Sequence, residues 1–104
     1  MQIIENKYTY GISPRKLDKI IKKIKHGKKI SKLHLVTLPL FEDGILEIYV
    51  YNQLLQPYYK TLDEKIVVVG MTLDKGEANN IVTDIVQGMC DAGIDFNVRE
   101  YLGI

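Results

Sequence analysis

The stretch Ile66-Val67-Val68-Val69-Gly70 decides the fold of this chain. A continuous β-branched run is typical of a strand that is buried on both faces, so we expect this strand at the centre of a sheet. The next segment, Asp74 to Asp91, repeats apolar residues at helical spacing and begins with an acidic N-cap. Ile94 to Leu102 then alternates apolar and polar residues, which predicts another strand. Lys65–Leu102 is therefore predicted to form a strand, a helix and a strand.

The front of the chain carries a weaker copy of the same pattern. Ile3–Gly11 has the spacing of a strand, and Ser13-Pro14 is typical of an N-cap followed by proline at the first helical position. Gly27 stands where a left-handed residue would end the helix. One face of this helix is apolar, and its residues are Leu17, Ile20, Ile21 and Ile24.

The middle of the chain predicts a hairpin. Leu33–Leu38 is apolar nearly throughout, which favours a buried strand, and Ile45–Tyr51 alternates along a returning strand. Asp43-Gly44 is a tight-turn signal between them. In the second strand, Leu46, Ile48 and Val50 share one face, and Glu47, Tyr49 and Tyr51 share the other. Residues 52–64 are predicted to form a semi-ordered crossover, because Pro57 limits a helix there to about one turn.

Together these elements predict one α+β domain over residues 1–104. The arrangement is predicted to be a ferredoxin-like βαββαβ fold with an extra strand or short helix inserted. We expect a mainly antiparallel sheet with both helices on one face, which leaves the other face open or paired with a second subunit. The alternative is a βαβββαβ sheet with a different strand order.

Composition narrows the class of protein. The chain has 104 residues, of which 46% are hydrophobic and 26% are charged, as in ordinary globular domains. It contains no apolar run of the roughly 18 residues that a membrane span needs. The first residues lack the pattern of a secretory signal, and the single cysteine, Cys90, cannot form an intrachain disulfide. We expect a soluble cytoplasmic protein that does not contact membranes.

The charge is distributed unevenly along the chain. Residues 15–32 contain nine basic residues and one acidic residue, a sum of +8, whereas residues 33–104 contain four basic and eleven acidic residues, a sum of −7. Clustered basic residues at helical spacing are typical of a surface that contacts phosphate groups. The competing interpretation is a solvated helix face, or a face that meets the acidic part of a neighbouring copy. The candidate nucleic-acid or anion ligands are Arg15, Lys16, Lys19, Lys22, Lys23, Lys28 and Lys29.

Tyrosines on the predicted sheet are the second candidate surface. Tyr8 and Tyr10 share a face on one strand, and Tyr49 and Tyr51 share a face on another. Aromatic residues on an open sheet stack bases in RNA-recognition domains, but the sequence signature of that family is absent here. We expect these four tyrosines to contact a second subunit instead, and the alternative is that they line the rim of the core.

No catalytic or cofactor motif emerges from the sequence. His34 lies inside an apolar strand, His26 lies at a helix end, and Cys90 falls on the apolar stripe of the second helix, where we expect it in the core. One cysteine and two distant histidines do not have metal-ligand spacing. Gly70–Gly76 leads from a strand into a helix but lacks the pattern of a phosphate-binding loop. The sequence therefore identifies no catalytic residues, no cofactor, no metal ligands and no small-molecule ligand.

These features favour a non-enzymatic role. We expect a small binding or assembly module that forms a homodimer through its open sheet face or an edge strand. The alternative is a nucleic-acid-binding accessory protein that uses the basic helix at residues 15–32. A third interpretation is a small enzyme whose site is assembled from residues far apart in the sequence.

Overall fold

The valine-rich stretch lies inside a mixed α+β fold. The computed structural model describes residues 1–41 and 44–104, and in that part of the chain the sheet has four strands in the order β1-β4-β2-β3. The strands are β1 (Gln2–Tyr10), β2 (His34–Thr37), β3 (Glu47–Val50) and β4 (Val67–Thr72). Strand β4 pairs in parallel with β1 and antiparallel with β2, which pairs antiparallel with β3. All six residues of β4 are buried, which confirms the predicted central strand.

Four α-helices accompany the sheet in the described residues. They are α1 (Pro14–Lys25), α2 (Pro57–Lys60), α3 (Lys75–Asp91) and α4 (Val98–Leu102). The predicted caps of the two long helices are confirmed. Ser13 Oγ accepts a hydrogen bond from the Lys16 N–H at 3.3 Å, and Asp74 Oδ1 accepts one from the Glu77 N–H at 3.1 Å. Gly27 follows α1 with a φ of 64°, the left-handed conformation expected of a helix terminator.

The strand predicted at Ile94–Leu102 is wrong, because these residues form a turn and helix α4. Asn97 caps α4, and its Oδ1 accepts a hydrogen bond from the Glu100 N–H at 3.1 Å. Val98, Tyr101 and Leu102 have the i, i+3, i+4 spacing of a helix face, although the segment also alternates in part like a strand. In the structure they pack against the core on the α3 side. A βαββαβ fold needs a strand after its second long helix, so the ferredoxin-like arrangement is not confirmed.

The expectation that both long helices cover one sheet face is also wrong. Ile81, Ile85 and Met89 of α3 pack with Val67 and Val69 in one core cluster. Ile20 of α1 belongs to a second cluster with Val68 and Met71, which also includes Leu54 from the connector after β3. Successive residues of a strand point to opposite faces, and the valine run has no polar side. Both faces of β4 therefore need apolar cover, and the fold has a helix layer on each side of the sheet.

Strand β1 departs from regular pairing near its middle. Ile3 lies opposite Val68 and Tyr8 lies opposite Gly70, so residues 4–7 of β1 face Val69 alone. The strand therefore bulges at this point, as strands do beside clefts and sheet edges. This bulge forms one wall of a cavity.

The hairpin has the two predicted faces, and the face that carries the tyrosines is the buried one. Tyr49 and Tyr51 are buried, whereas Ile48 and Val50 of the edge strand β3 are 36% and 44% exposed. The connector after β3 consists of the 3-10 turns Tyr51–Leu55 and Asp63–Lys65 with α2 between them. It packs against Tyr49 and therefore buries this face of the hairpin. Asp43 of the predicted Asp43-Gly44 turn lies outside the described residues.

Cys90 is exposed, so its predicted place in the core is wrong. It follows Met89, which is fully buried, and the helix turns the next side chain away from the sheet. Within the described residues, no helix is both long enough and apolar enough to cross a bilayer.

Candidate functional site

Part of the basic segment forms the wall of a groove beside α1. The groove has a volume of about 480 Å³, and Ile20, Ile30 and Leu73 contribute its apolar surface. Four lysines and one serine give it a polar, positively charged lining. These residues are Lys16, Lys19, Lys23, Ser31 and Lys32.

Helix α1 supplies three of the four lysines. Lys16, Lys19 and Lys23 are spaced at i, i+3 and i+7, so they lie on one side of the helix. At a rise of about 1.5 Å per residue this row is roughly 10 Å long. The basic residues expected at Lys16, Lys19 and Lys23 from the sequence are therefore brought together in space.

Residues 26–33, which connect α1 to β2, supply Lys32. The N–H of Ile30 donates a hydrogen bond to Asn52 Oδ1 at 2.8 Å, which anchors the connector to the 3-10 turn after β3. Lys32 has a φ of 63°, a left-handed conformation that costs a non-glycine residue roughly 1 kcal/mol. Its carbonyl oxygen lies 2.9 Å from Nδ1 of His34, and since a carbonyl only accepts, this contact places a proton on Nδ1. The sequence contained no signal that ties Asn52 to Ile30.

The groove is positively charged, and no acidic residue of the described part of the chain lines it. Among the described residues, no carboxylate oxygen lies within 4.0 Å of the side-chain nitrogens of its four lysines. The ion pair that these residues do form lies outside the groove and joins the Met1 ammonium to Asp63 at 2.8 Å. Charges that are not neutralised nearby attract anions from solution, and a concave surface strengthens the attraction. The groove is therefore suited to binding an anion.

Four predicted ligands lie outside the groove. Arg15, Lys22, Lys28 and Lys29 are exposed, but they do not line it. They extend the positive surface around α1 and the start of the connector. The structure thus separates the seven predicted ligands into three groove residues on α1 and four exposed residues around the groove.

The four tyrosines do not form a common surface. Tyr49 and Tyr51 are buried in the cluster on the α1 side, whereas Tyr8 and Tyr10 are half-buried against the cluster on the α3 side. The hydroxyl of Tyr49 donates to Glu47 Oε1 at 3.1 Å. The pKa of Tyr49 is raised to about 12, mainly by burial and to a smaller extent by this hydrogen bond. Tyr49 is therefore a neutral structural residue at physiological pH.

The Tyr51 hydroxyl is buried and has no hydrogen-bond partner among the described residues. Burial raises the pKa of Tyr51, and the nearby Asp63 carboxylate raises it further. An unpaired buried hydroxyl costs free energy, so we expect Tyr51→Phe to increase the free energy of unfolding by about 1 kcal/mol. Tyr49→Phe is the matched control and should decrease it by about 1 kcal/mol, because it removes a made hydrogen bond. Urea unfolding of both variants measures the difference, and a loss in Tyr51→Phe equal to the control contradicts the assignment.

The arrangement provides binding groups and no evident reacting group. Within the described ranges, no three His, Cys, Asp or Glu side chains come together as a metal site would require. Comparison with known proteins found no matching family model, no matching curated protein and no matching solved structure. The groove itself is therefore the basis for a functional proposal.

Proposed function

We propose that this chain is a small cytoplasmic nucleic-acid-binding accessory protein that holds backbone phosphates in the groove lined by Lys16, Lys19, Lys23 and Lys32. The main support is that lysines from α1 and from the segment after it converge around one concavity, whose lining includes no carboxylate from residues 1–41 and 44–104. A solvated helix face does not require Lys32, which follows the helix, to meet the three lysines of the helix. Residues 15–32 have a net charge of +8, which includes these four lysines, and the remaining basic residues add long-range attraction.

The chemistry of the groove favours backbone contacts over base recognition. Lysine ammonium groups meet phosphates as point charges and carry little information about the bases. Ser31 adds a hydroxyl, and the apolar surface of Ile20, Ile30 and Leu73 suits the sugar or the edge of an unstacked base. We therefore expect binding with weak sequence preference and a preference for single strands, whose backbone can follow a short groove.

Salt dependence tests this proposal directly. If the four lysines each neutralise one phosphate, the logarithm of the affinity for a single strand should fall with the logarithm of salt concentration with a slope of about −3. Between about 0.05 and 0.2 M NaCl the affinity should then fall roughly 50-fold. Fluorescence anisotropy with labelled single-stranded RNA and DNA measures this slope. Absence of binding at the lower salt concentration would overturn the proposal.

A second candidate function is self-association through the edge strand β3. Strand β3 pairs with β2 on one side only, and its exposed residues Ile48 and Val50 lie on the same face. An exposed edge with β-branched apolar residues is a template for pairing with another strand. The occupant we propose is β3 of a second copy, because antiparallel pairing around a twofold axis would place the same two residues of each copy together. A sheet face is less suited to this role, because α1 and α3 pack on opposite faces of the sheet.

Light scattering after size exclusion tests the second candidate. We expect the wild type to be a dimer that persists at about 1 M NaCl, because apolar burial is not screened by salt. Val50→Lys should convert it to a monomer, whereas Phe96→Lys, at an exposed apolar site outside β3, should leave the dimer intact. A monomeric wild type would exclude this function.

A further inference from the structure

A second cavity lies between the bulge of β1, the C-terminal half of α1 and the connector after β3. Its volume is about 560 Å³, within the range of roughly 300–1,000 Å³ that is typical of small-molecule sites. Ile21 and Ile24 of α1 form one apolar wall, and Leu54 and Leu55 of the connector contribute another. We call this cavity the α1 cleft.

The apolar side of α1 is not fully used by the protein core. Of its four apolar-face residues only Ile20 is buried, and Ile21 and Ile24 are half-buried. Both half-buried isoleucines line the α1 cleft. Covering such surface with an apolar ligand would remove it from water, which is favourable at about 25 cal/mol per Å².

The bulge of β1 builds the third wall. Regular pairing would keep residues 4–7 of β1 against β4, but these residues face Val69 alone. Glu5 and Lys7 from this segment line the α1 cleft, and the Lys7 ammonium donates to the Glu5 carbonyl oxygen at 3.4 Å. The irregularity of β1 thus forms part of the α1 cleft, which is a different cavity from the lysine-lined groove beside α1.

The charged residues around the α1 cleft favour an anionic ligand. Lys7, Lys25 and Lys60 come from three separate elements and all line it. The lining carboxylates are Glu5 and Asp63, and Asp63 is already paired with the Met1 ammonium at 2.8 Å. Basic groups beside apolar walls match a molecule with an apolar body and a single negative charge.

We propose that the α1 cleft binds a small amphipathic carboxylate. The apolar part lies between Ile21 and Ile24 on one side and Leu54 and Leu55 on the other. The carboxylate lies near Lys25 and Lys60. This site is separate from the lysine groove, and its occupation does not depend on nucleic-acid binding.

Three ligands with the same eight-carbon chain test the proposal: octanoate, octanol and octylammonium. Methyl NMR of isoleucine reports the binding site, because Ile3, Ile21 and Ile24 lie at the α1 cleft and Ile81 and Ile85 lie in the cluster on the opposite side of the sheet. Octanoate should shift the first three residues and leave the other two unchanged. Its affinity should exceed that of octanol by roughly tenfold, the effect of two exposed ion pairs with Lys25 and Lys60, and octylammonium should bind weakest.

Two variants separate the apolar walls from the charges. Lys25→Gln with Lys60→Gln should reduce octanoate affinity to that of octanol and leave octanol affinity unchanged. Ile24→Trp should fill the α1 cleft and remove binding of both, and Leu55→Trp serves the same purpose if Ile24→Trp does not fold. Equal affinity for octanoate and octanol in the wild type, shifts at Ile81 and Ile85, or no shifts at all would each overturn the proposal.

Discussion

Replacing Lys16, Lys19 and Lys23 by glutamate is expected to weaken single-strand binding by roughly 100-fold or more. Each substitution removes one phosphate contact and places a negative charge against the ligand, and such like-charge contacts cost several kcal/mol together. These three residues share one side of α1 and line the same groove. Anisotropy titrations at about 0.05 M NaCl, where screening is weakest, measure the loss.

The basic segment itself provides the matched control. Lys22→Glu, Lys28→Glu and Lys29→Glu change the net charge of the protein by the same amount, but these residues lie outside the groove. We expect this variant to lose only the long-range attraction, a reduction of roughly tenfold or less. An equal loss in both variants would show that diffuse charge causes the binding. An unaffected groove variant would place the nucleic-acid contact elsewhere.

Gly70→Ala is expected to lower the free energy of unfolding by about 2–3 kcal/mol, because it overpacks the contact between β4 and α3. The new Cβ would lie 2.8 Å from Cγ2 of Ile81 and 3.2 Å from the carbonyl oxygen of Tyr8. Backbone at Tyr8 cannot move without disturbing β1, and Ile81 is fully buried. Urea unfolding gives the change in stability.

A double-mutant cycle identifies the cause of this loss. Ile81→Ala alone should cost about 2–5 kcal/mol, because it leaves a cavity in the core. In the double mutant, Ile81→Ala also removes the closest clash made by Gly70→Ala. The loss of stability in the double mutant should therefore be about 1 kcal/mol smaller than the sum of the two single losses. Gly11→Ala is the control, since Gly11 has a φ of 69° and open space around it, and it should cost about 1 kcal/mol from conformation alone. Strict additivity would contradict the steric explanation.

Much of the local structure could be predicted from residue order. The caps at Ser13 and Asp74 and the left-handed Gly27 are local signals, because each depends on neighbours within a few residues along the chain. The buried strand β4 was also predictable, since five consecutive apolar or glycine residues leave no polar side. Within the candidate site, the row of lysines on α1 followed from helical spacing alone.

Other features depended on contacts between distant residues. The segment at Val98–Leu102 has apolar spacing that fits two structures, and packing against α3 selected the helix. Burial of Tyr49 and exposure of Ile48 depended on where the connector folds, which alternation in β3 does not specify. Lys32 lies two residues after Ile30, whose N–H donates a hydrogen bond to Asn52, 22 residues away along the chain.

The central strand, the two capped helices and the concentration of positive charge in residues 15–32 follow from residue order, because propensity, capping and periodicity act over a few residues. The placement of α1 and α3 on opposite faces of the sheet, the meeting of three helix lysines with Lys32 and the bulge of β1 at the α1 cleft depend on the folded chain. An apolar face specifies burial but not its partner, and packing across the whole chain selects that partner.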